Sequence, residues 1–305
     1  MTAIGWGKII LLGEHAVVYG YPALAAALDR GVTMDFVPTT KGGMRLNIPA
    51  WNATVKADDD SQLARCLCAI ADALSLGRPE LSLVGDAQIP HGAGLGSSAA
   101  LAVAVARAML AWQKKPADAA TLAHAANASE LIVHGKPSGV DVALAITGGL
   151  GVFRRSSGLS SLKRADGTAP SVRVLVGPSG EPRSTGTMVQ KVAAATGERP
   201  ADKRLAELGG LCDTGTAALL GNDLAALGAA MNRAHEVLVD LGVSTPLLDD
   251  LCLHARALGA HGAKLTGAGG GGAVIAVAPR DKEQEILAAW KAMNVTGFVA
   301  NVGAR

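Results

Sequence analysis

The chain has 305 residues, enough for two domains that each bury a sizeable core. Its 28 basic and 26 acidic residues nearly cancel, and a net charge of +2 argues against nucleic acid or an anionic membrane surface as a partner. Aromatic residues make up only 3% while glycine reaches 38 positions, so Ala, Leu and Val fill the core and many backbone segments must turn sharply or approach closely.

The first residues, MTAIGWGK, lack the basic and apolar regions of a secretory leader, and no apolar run reaches the roughly 20 residues of a membrane span, so a cytoplasmic location is expected. The motif KIILL, residues 8–12, reads as a buried strand that ends at Gly13. Residues 22–28 read as a short helix with Pro22 in its first turn. Strands are expected at 32–37 and 44–48, joined by a hairpin turn at Lys41-Gly42-Gly43. Asp58, Asp59 and Asp60 lead into a helix that runs to about Leu76, as acidic residues favour a helix N-terminus. A short strand at 81–84 precedes a glycine loop and a long apolar helix from Ser98. A second helix covers 118–133 and a strand covers 148–154. The Ser-, Gly- and charge-rich stretch 155–171 is the candidate domain boundary. Beyond it come a strand at 172–176, helices at 187–196, 203–220, 224–241 and 245–258, and strands at 263–266, 273–278 and 297–301, with a helix at 282–293 before the last. The mixture is α+β. Cys66, Cys68, Cys212 and Cys252 form no CxxC pair, and buried reduced thiols are the expectation.

The glycine loop carries the first chemical signal. Gly92, Gly94 and Gly96 permit a tight turn without side chains in the way, and Ser97 and Ser98 then begin the apolar helix. A helix N-terminus has unpaired N–H groups and partial positive charge, so it receives anions, and a serine hydroxyl there can serve Mg²⁺. The spelling is not that of a Walker A loop, a dinucleotide fingerprint or a nucleophile elbow. The plain alternative is a loop that only caps a core helix. A second cluster, KLTGAGGGG at 264–272, formally contains GxGxxG, but a strand follows it where a dinucleotide site needs a helix.

Five charged residues stand where charge is costly or unusual. Lys8 lies inside an apolar strand, with outward snorkelling as the alternative. Glu130 falls near a helix end whose dipole disfavours a carboxylate, with a solvated surface position as the alternative. Asp141 follows the turn KPSGV and enters an apolar strand or helix at 142–146, with capping as the alternative. Glu14 and His15 follow the first strand, and His15 and His134 are each compatible with ordinary core or surface roles.

Taken in order, these segments resemble the GHMP kinase superfamily, and within it the mevalonate kinases. GKIILLGEHAVVYGYPAL (7–24), PHGAGLGSSAA (90–100) and KLTGAGGGG (264–272) resemble its three motifs. ELIVHGKPSGVD (130–141) and PRST (182–185) are similar to mevalonate kinases more narrowly. The resemblance implies two domains, 1–165 like the second domain of ribosomal protein S5 and 166–305 ferredoxin-like, with the active site in the cleft between them. It implies ATP-dependent phosphorylation of the 5-hydroxyl of mevalonate, with Mg²⁺, by an enzyme that is often a homodimer. Asp141 would act on the substrate hydroxyl as base or orienting group, with Lys8 beside it and the transferring phosphoryl. Gly92, Ala93, Gly94, Leu95, Gly96, Ser97 and Ser98 would wrap the ATP phosphates, and Ser98 and Glu130 would hold Mg²⁺. Glu14, His15 and Thr185 would surround the substrate, and Thr266, Gly267 and Ala268 would help close the site. The chain departs from the family pattern at Gly5-Trp6-Gly7, at Val142 and at Ala50-Trp51-Asn52. The alternatives are another small-molecule kinase of the superfamily, a metabolite sensor of the same fold, and a serine hydrolase acting through Ser97 or Ser98.

Overall fold

The computed structural model describes residues 3–39, 42–135, 137–181 and 185–303. Lys41, Lys136, Pro182, Arg183 and Ser184, which figure in the motifs above, lie outside the described residues. The chain forms two compact units that interleave in sequence. The first takes residues 3–7, Arg30–His91 and Gly96–Gly148; the second takes Lys8–Asp29, Gly92–Leu95 and 149–303.

Two strands run through both units. Strand β1 is Ala3–Leu12 and β2 is Ala23–Pro38, and the two pair with each other. Residues 22–28 are therefore not a helix: Ala23 to Leu28 belong to β2 and are all buried. A continuous apolar run has no periodicity to separate strand from helix, and the helix preference of Ala and Leu is only a few tenths of a kcal/mol, about what one packing contact overrides.

The first unit continues with β3 (Arg45–Ile48), β4 (Ala53–Lys56), helix α1 (Gln62–Ala73) and β5 (Leu81–Ala87). The strand order is β4-β3-β5-β2. Strand β5 pairs antiparallel with β2, from Val32 opposite Ala87 to Pro38 opposite Leu81, and parallel with β3. Strands β2 and β3 therefore do not pair as a hairpin: β5 lies between them, and β3 pairs with β4 instead. Sequence neighbours are the usual partners, but a later strand with a better apolar face can displace them.

Three helices complete this unit: α2 (Ser97–Trp112), α3 (Ala119–His134) and α4 (Val140–Thr147). Helix α2 buries twelve of its sixteen residues, so it is apolar all round rather than amphipathic. Its alanines let β1 come close: a Cβ on Gly5 would stand 1.9 Å from the carbonyl oxygen of Ala100. Side-chain caps start α1 and α3, Ser61 accepting from the Ala64 amide and Asp118 from that of Thr121. The half-buried Arg107 donates to the carbonyls of Ile4 and, at 2.7 Å, Ile146, tying β1 and the end of α4 to α2.

In the second unit, β6 (Leu150–Arg154) pairs with the first residues of β2 and with β7 (Gly158–Ser161). Then follow β8 (Ser171–Pro178), α5 (Thr185–Thr196), α6 (Lys203–Leu220), α7 (Leu224–Asp240), α8 (Pro246–Ala257), β9 (Gly262–Thr266), β10 (Ala273–Val277), α9 (Glu283–Ala292) and β11 (Phe298–Gly303). The four strands β11-β8-β10-β9 make an antiparallel sheet. Numbered within that sheet the order is 4-1-3-2, the ferredoxin-like arrangement. Trp290 of α9 is fully buried against glycines 177 and 297 and donates its indole N–H to the Leu251 carbonyl. No helix among the described residues is long and apolar enough to cross a membrane.

Candidate active site

The glycine loop has the local geometry its composition suggests. Gly92, Gly94 and Gly96 have φ of 75°, 79° and 73°, while Ala93 and Leu95 are not left-handed. Left-handed glycines at alternate positions let the backbone turn tightly with no Cβ in the way of a ligand. Gly96 is the N-cap of α2 and has no side chain to cap the first-turn amides, so the helix end adds its dipole to the loop. Strand β1 meets the loop through its backbone: the Lys8 N–H donates to the Leu95 carbonyl at 2.8 Å.

In the first unit, Ser98 and Glu130 meet through one imidazole. His134 Nε2 is 3.3 Å from Ser98 Oγ and 3.7 Å from Glu130 Oε2. Glu130 lies one turn before His134 on α3 and is 1% exposed, so it is no surface carboxylate. Asp141 stands in the first turn of α4, half-buried, where its charge suits the helix dipole. The segment 142–146 is therefore helix. Gly139, with φ of 90°, turns the chain into that helix, and the Val140 amide donates to Ser138 Oγ.

In the second unit, the first and third motifs are joined by side chains. Thr266, fully buried at the end of β9, accepts the Ile10 N–H at 2.9 Å and donates to the Ile10 carbonyl at 3.0 Å. His15 Nε2 donates to the Ala268 carbonyl at 2.9 Å, which fixes its tautomer. His15 is buried and holds a φ of 60°, a conformation a non-glycine residue adopts only under local constraint. Lys8 is also buried, at 4% exposure, rather than snorkelling outward. The turn after β9 must be glycine at Gly269, where φ is 77° and a Cβ would meet the Val243 carbonyl at 2.1 Å. Strand β10 follows this turn, so the GxGxxG spelling is no dinucleotide site. Thr185 opens α5 and is half-buried.

Two residues of this region were not singled out from sequence. Lys264 is fully buried on β9, and its ammonium donates to Glu14 Oε1 and to the Leu265 carbonyl. Burial pushes the Glu14 carboxyl up and the Lys264 ammonium down, and the opposite charge of each resists the shift of the other. His235 accepts the Leu265 N–H on Nδ1, so Nε2 carries the hydrogen toward Asp249 Oδ1, 3.2 Å away. Burial, with Arg256 nearby, pushes this imidazole down to about 4. The signal for Lys264 was a lysine between Ala263 and Leu265 in a predicted strand, the same signal that marked Lys8. All four cysteines are free, three of them buried and Cys68 half-buried.

Comparison with known proteins agrees with the fold. Residues 62–149 match the GHMP kinases N terminal domain, and residues 216–296 match the GHMP kinases C terminal family. The chain is 35% identical to the mevalonate kinase of Thermococcus sibiricus over 93% of its own length and 90% of that protein. It belongs to the GHMP kinase family. Within that family, proteins 31–35% identical to it over more than nine-tenths of its length are mevalonate kinases. The crystal structure of the Methanococcus jannaschii enzyme superposes with a TM-score of 0.87 at 27% identity, covering 99% of this chain and 98% of that one. The L. major mevalonate kinase, crystallised in complex with R-mevalonate, gives 0.84 at 26% identity, covering 100% and 96%.

Proposed function

We propose that this chain transfers the γ-phosphoryl group of ATP to the 5-hydroxyl of mevalonate, giving 5-phosphomevalonate and ADP. The observation that carries this reading is the left-handed glycine loop at the head of α2, with Ser98 and Glu130 converging on His134, in a chain whose mevalonate kinase relatives align over nine-tenths of its length. In this reading domain 1–165 and domain 166–305 are those of the family, and the enzyme works in the cytoplasm, where free thiols persist.

Phosphoryl transfer passes through a loose transition state whose charge sits on the phosphoryl oxygens, so positioned amides and cations do most of the catalysis. Residues 92–98 hold the ATP phosphates through backbone amides and the dipole of α2. Lys8, on the strand bonded to that loop, supplies a cation for the transferring group. Ser98 and Glu130 offer the hydroxyl and carboxylate oxygens that a hard cation prefers, and they would hold Mg²⁺. That ion, when bound, neutralises charge on the phosphates. Asp141 orients the attacking hydroxyl and accepts its proton. Glu14, His15 and Thr185 contact mevalonate, and Thr266, Gly267 and Ala268 bound its site.

The test is ADP release with MgATP against mevalonate, phosphomevalonate, homoserine and galactose. Turnover with mevalonate alone is expected. Turnover only with another alcohol would move the substrate and keep the kinase; nucleotide binding without turnover would make the chain a sensor.

A further inference from the structure

Glu14 and Lys264 lie 250 residues apart in sequence and meet with 1% and 0% exposure. A buried ion pair of this kind adds little to stability over two well-packed apolar side chains. The pair also leaves a loose end: Lys264 holds Glu14 Oε1, while Oε2 is buried with no hydrogen-bond partner. A buried carboxylate oxygen without a partner is costly, so it calls for a donor, which an ordered water or a ligand hydroxyl supplies. Next to Glu14, His15 is held in a constrained backbone conformation and bonded to Ala268, and Lys8 faces Glu14 from β1.

We infer that Lys264 is a positioning residue, which keeps Glu14 ionised and turns its Oε2 toward a hydroxyl group of the small-molecule substrate. This rests on the proposed role of Glu14 in the substrate site. Lys264 does not touch the substrate; it acts through the carboxylate. The charges that face Glu14 are Lys264 from β9 and Lys8 from β1, with the Cys212 thiol from α6. Facing Lys264 from α7 and α8 are His235 and Cys252, with Arg256 and Asp249 beyond them. Burial holds both thiols up to about 12 and His235 down to about 4, so none of these three changes charge between pH 5.5 and 8. Removing the Lys264 charge therefore leaves Glu14 to take up a proton, which converts its acceptor into a donor.

The experiment measures KM for mevalonate and kcat from pH 5.5 to 8 in the full chain and in Lys264→Met, Lys264→Arg, Glu14→Gln and the double variant Glu14→Gln/Lys264→Met. Glu14→Gln is expected to raise KM roughly tenfold, the worth of one hydrogen bond to a charged group. Lys264→Met should raise KM progressively as pH falls, with the rise starting about one pH unit or more above any rise in the unsubstituted chain. Lys264→Arg should restore the original profile. If Lys264→Met does not fold, the double variant, which carries no orphaned charge, decides the matter. Its KM should equal that of Glu14→Gln within about threefold, because coupled residues are not additive. A pH profile unmoved by Lys264→Met, or a second tenfold rise in the double variant, would overturn the inference. An unchanged KM in Glu14→Gln would overturn it too, while mevalonate turnover in the same sample would keep the kinase assignment standing.

Discussion

Thr266→Val changes one hydroxyl to a methyl group at nearly constant shape, at a site with no exposure. The hydroxyl serves both backbone groups of Ile10, accepting at 2.9 Å and donating at 3.0 Å. Valine can do neither, and Ile10 is only 7% exposed. Each buried backbone group left without this bond costs about 1–3 kcal/mol. The added methyl group returns about 0.8 kcal/mol. The expected net loss for the two groups is about 1–5 kcal/mol. Urea unfolding, followed by the fluorescence of the four tryptophans, Trp290 fully buried among them, measures it. With a slope of about 2 kcal/mol/M, the midpoint should fall by about 0.5–2.5 M at unchanged slope. Thr266→Ser keeps both bonds and should lose only about 1 kcal/mol. If Thr266→Val shifts the midpoint no more than Thr266→Ser does, the clip between β1 and β9 contributes nothing and the reasoning fails.

Two further perturbations follow from the packing and the buried imidazole. His235 is pushed from its ordinary 6.5 down to about 4, so between those values the unfolded chain binds a proton that the folded chain refuses. Stability therefore rises with pH across that window, by up to about 3 kcal/mol from this group; His235→Gln should flatten the urea midpoint between pH 4 and 6.5, and an equally steep profile would contradict the assignment. Gly5→Ala places a methyl group 1.9 Å from the Ala100 carbonyl, backbone against backbone, and should cost about 3 kcal/mol in a thermal or urea melt. A loss under about 0.5 kcal/mol would mean that β1 and α2 separate freely.

Much of this was readable from the residues because the cues were local. Helix α6 spans the predicted 203–220, and Asp223 and the Thr245-Pro246 pair announce α7 and α8 as side-chain caps. The glycine loop was equally legible, since only glycine adopts left-handed φ at three alternate positions without cost. What failed was non-local. The run 23–28 became strand because β1 and β6 flank it, and β3 passed over its sequence neighbour because β5 took that place. Strands β4 and β7 are four residues long each, and β7 is glycine, leucine and two serines, too short for a period to show. In the site, Lys8 was marked by charge in an apolar strand and Glu130 by a carboxylate near a helix C-terminus, and both are buried. Lys264 carried the same mark, but its meaning depends on Glu14, 250 residues away, which no spacing rule connects.

The most direct test of the central claim is product analysis by phosphorus NMR after incubation of the chain with MgATP and mevalonate, run beside Asp141→Asn. A new phosphomonoester on the C5 oxygen is expected, formed roughly 10²–10⁴-fold more slowly by Asp141→Asn, the usual cost of losing a positioned acid–base group. Absence of that phosphomonoester, or its formation at an undiminished rate by Asp141→Asn, would contradict the account.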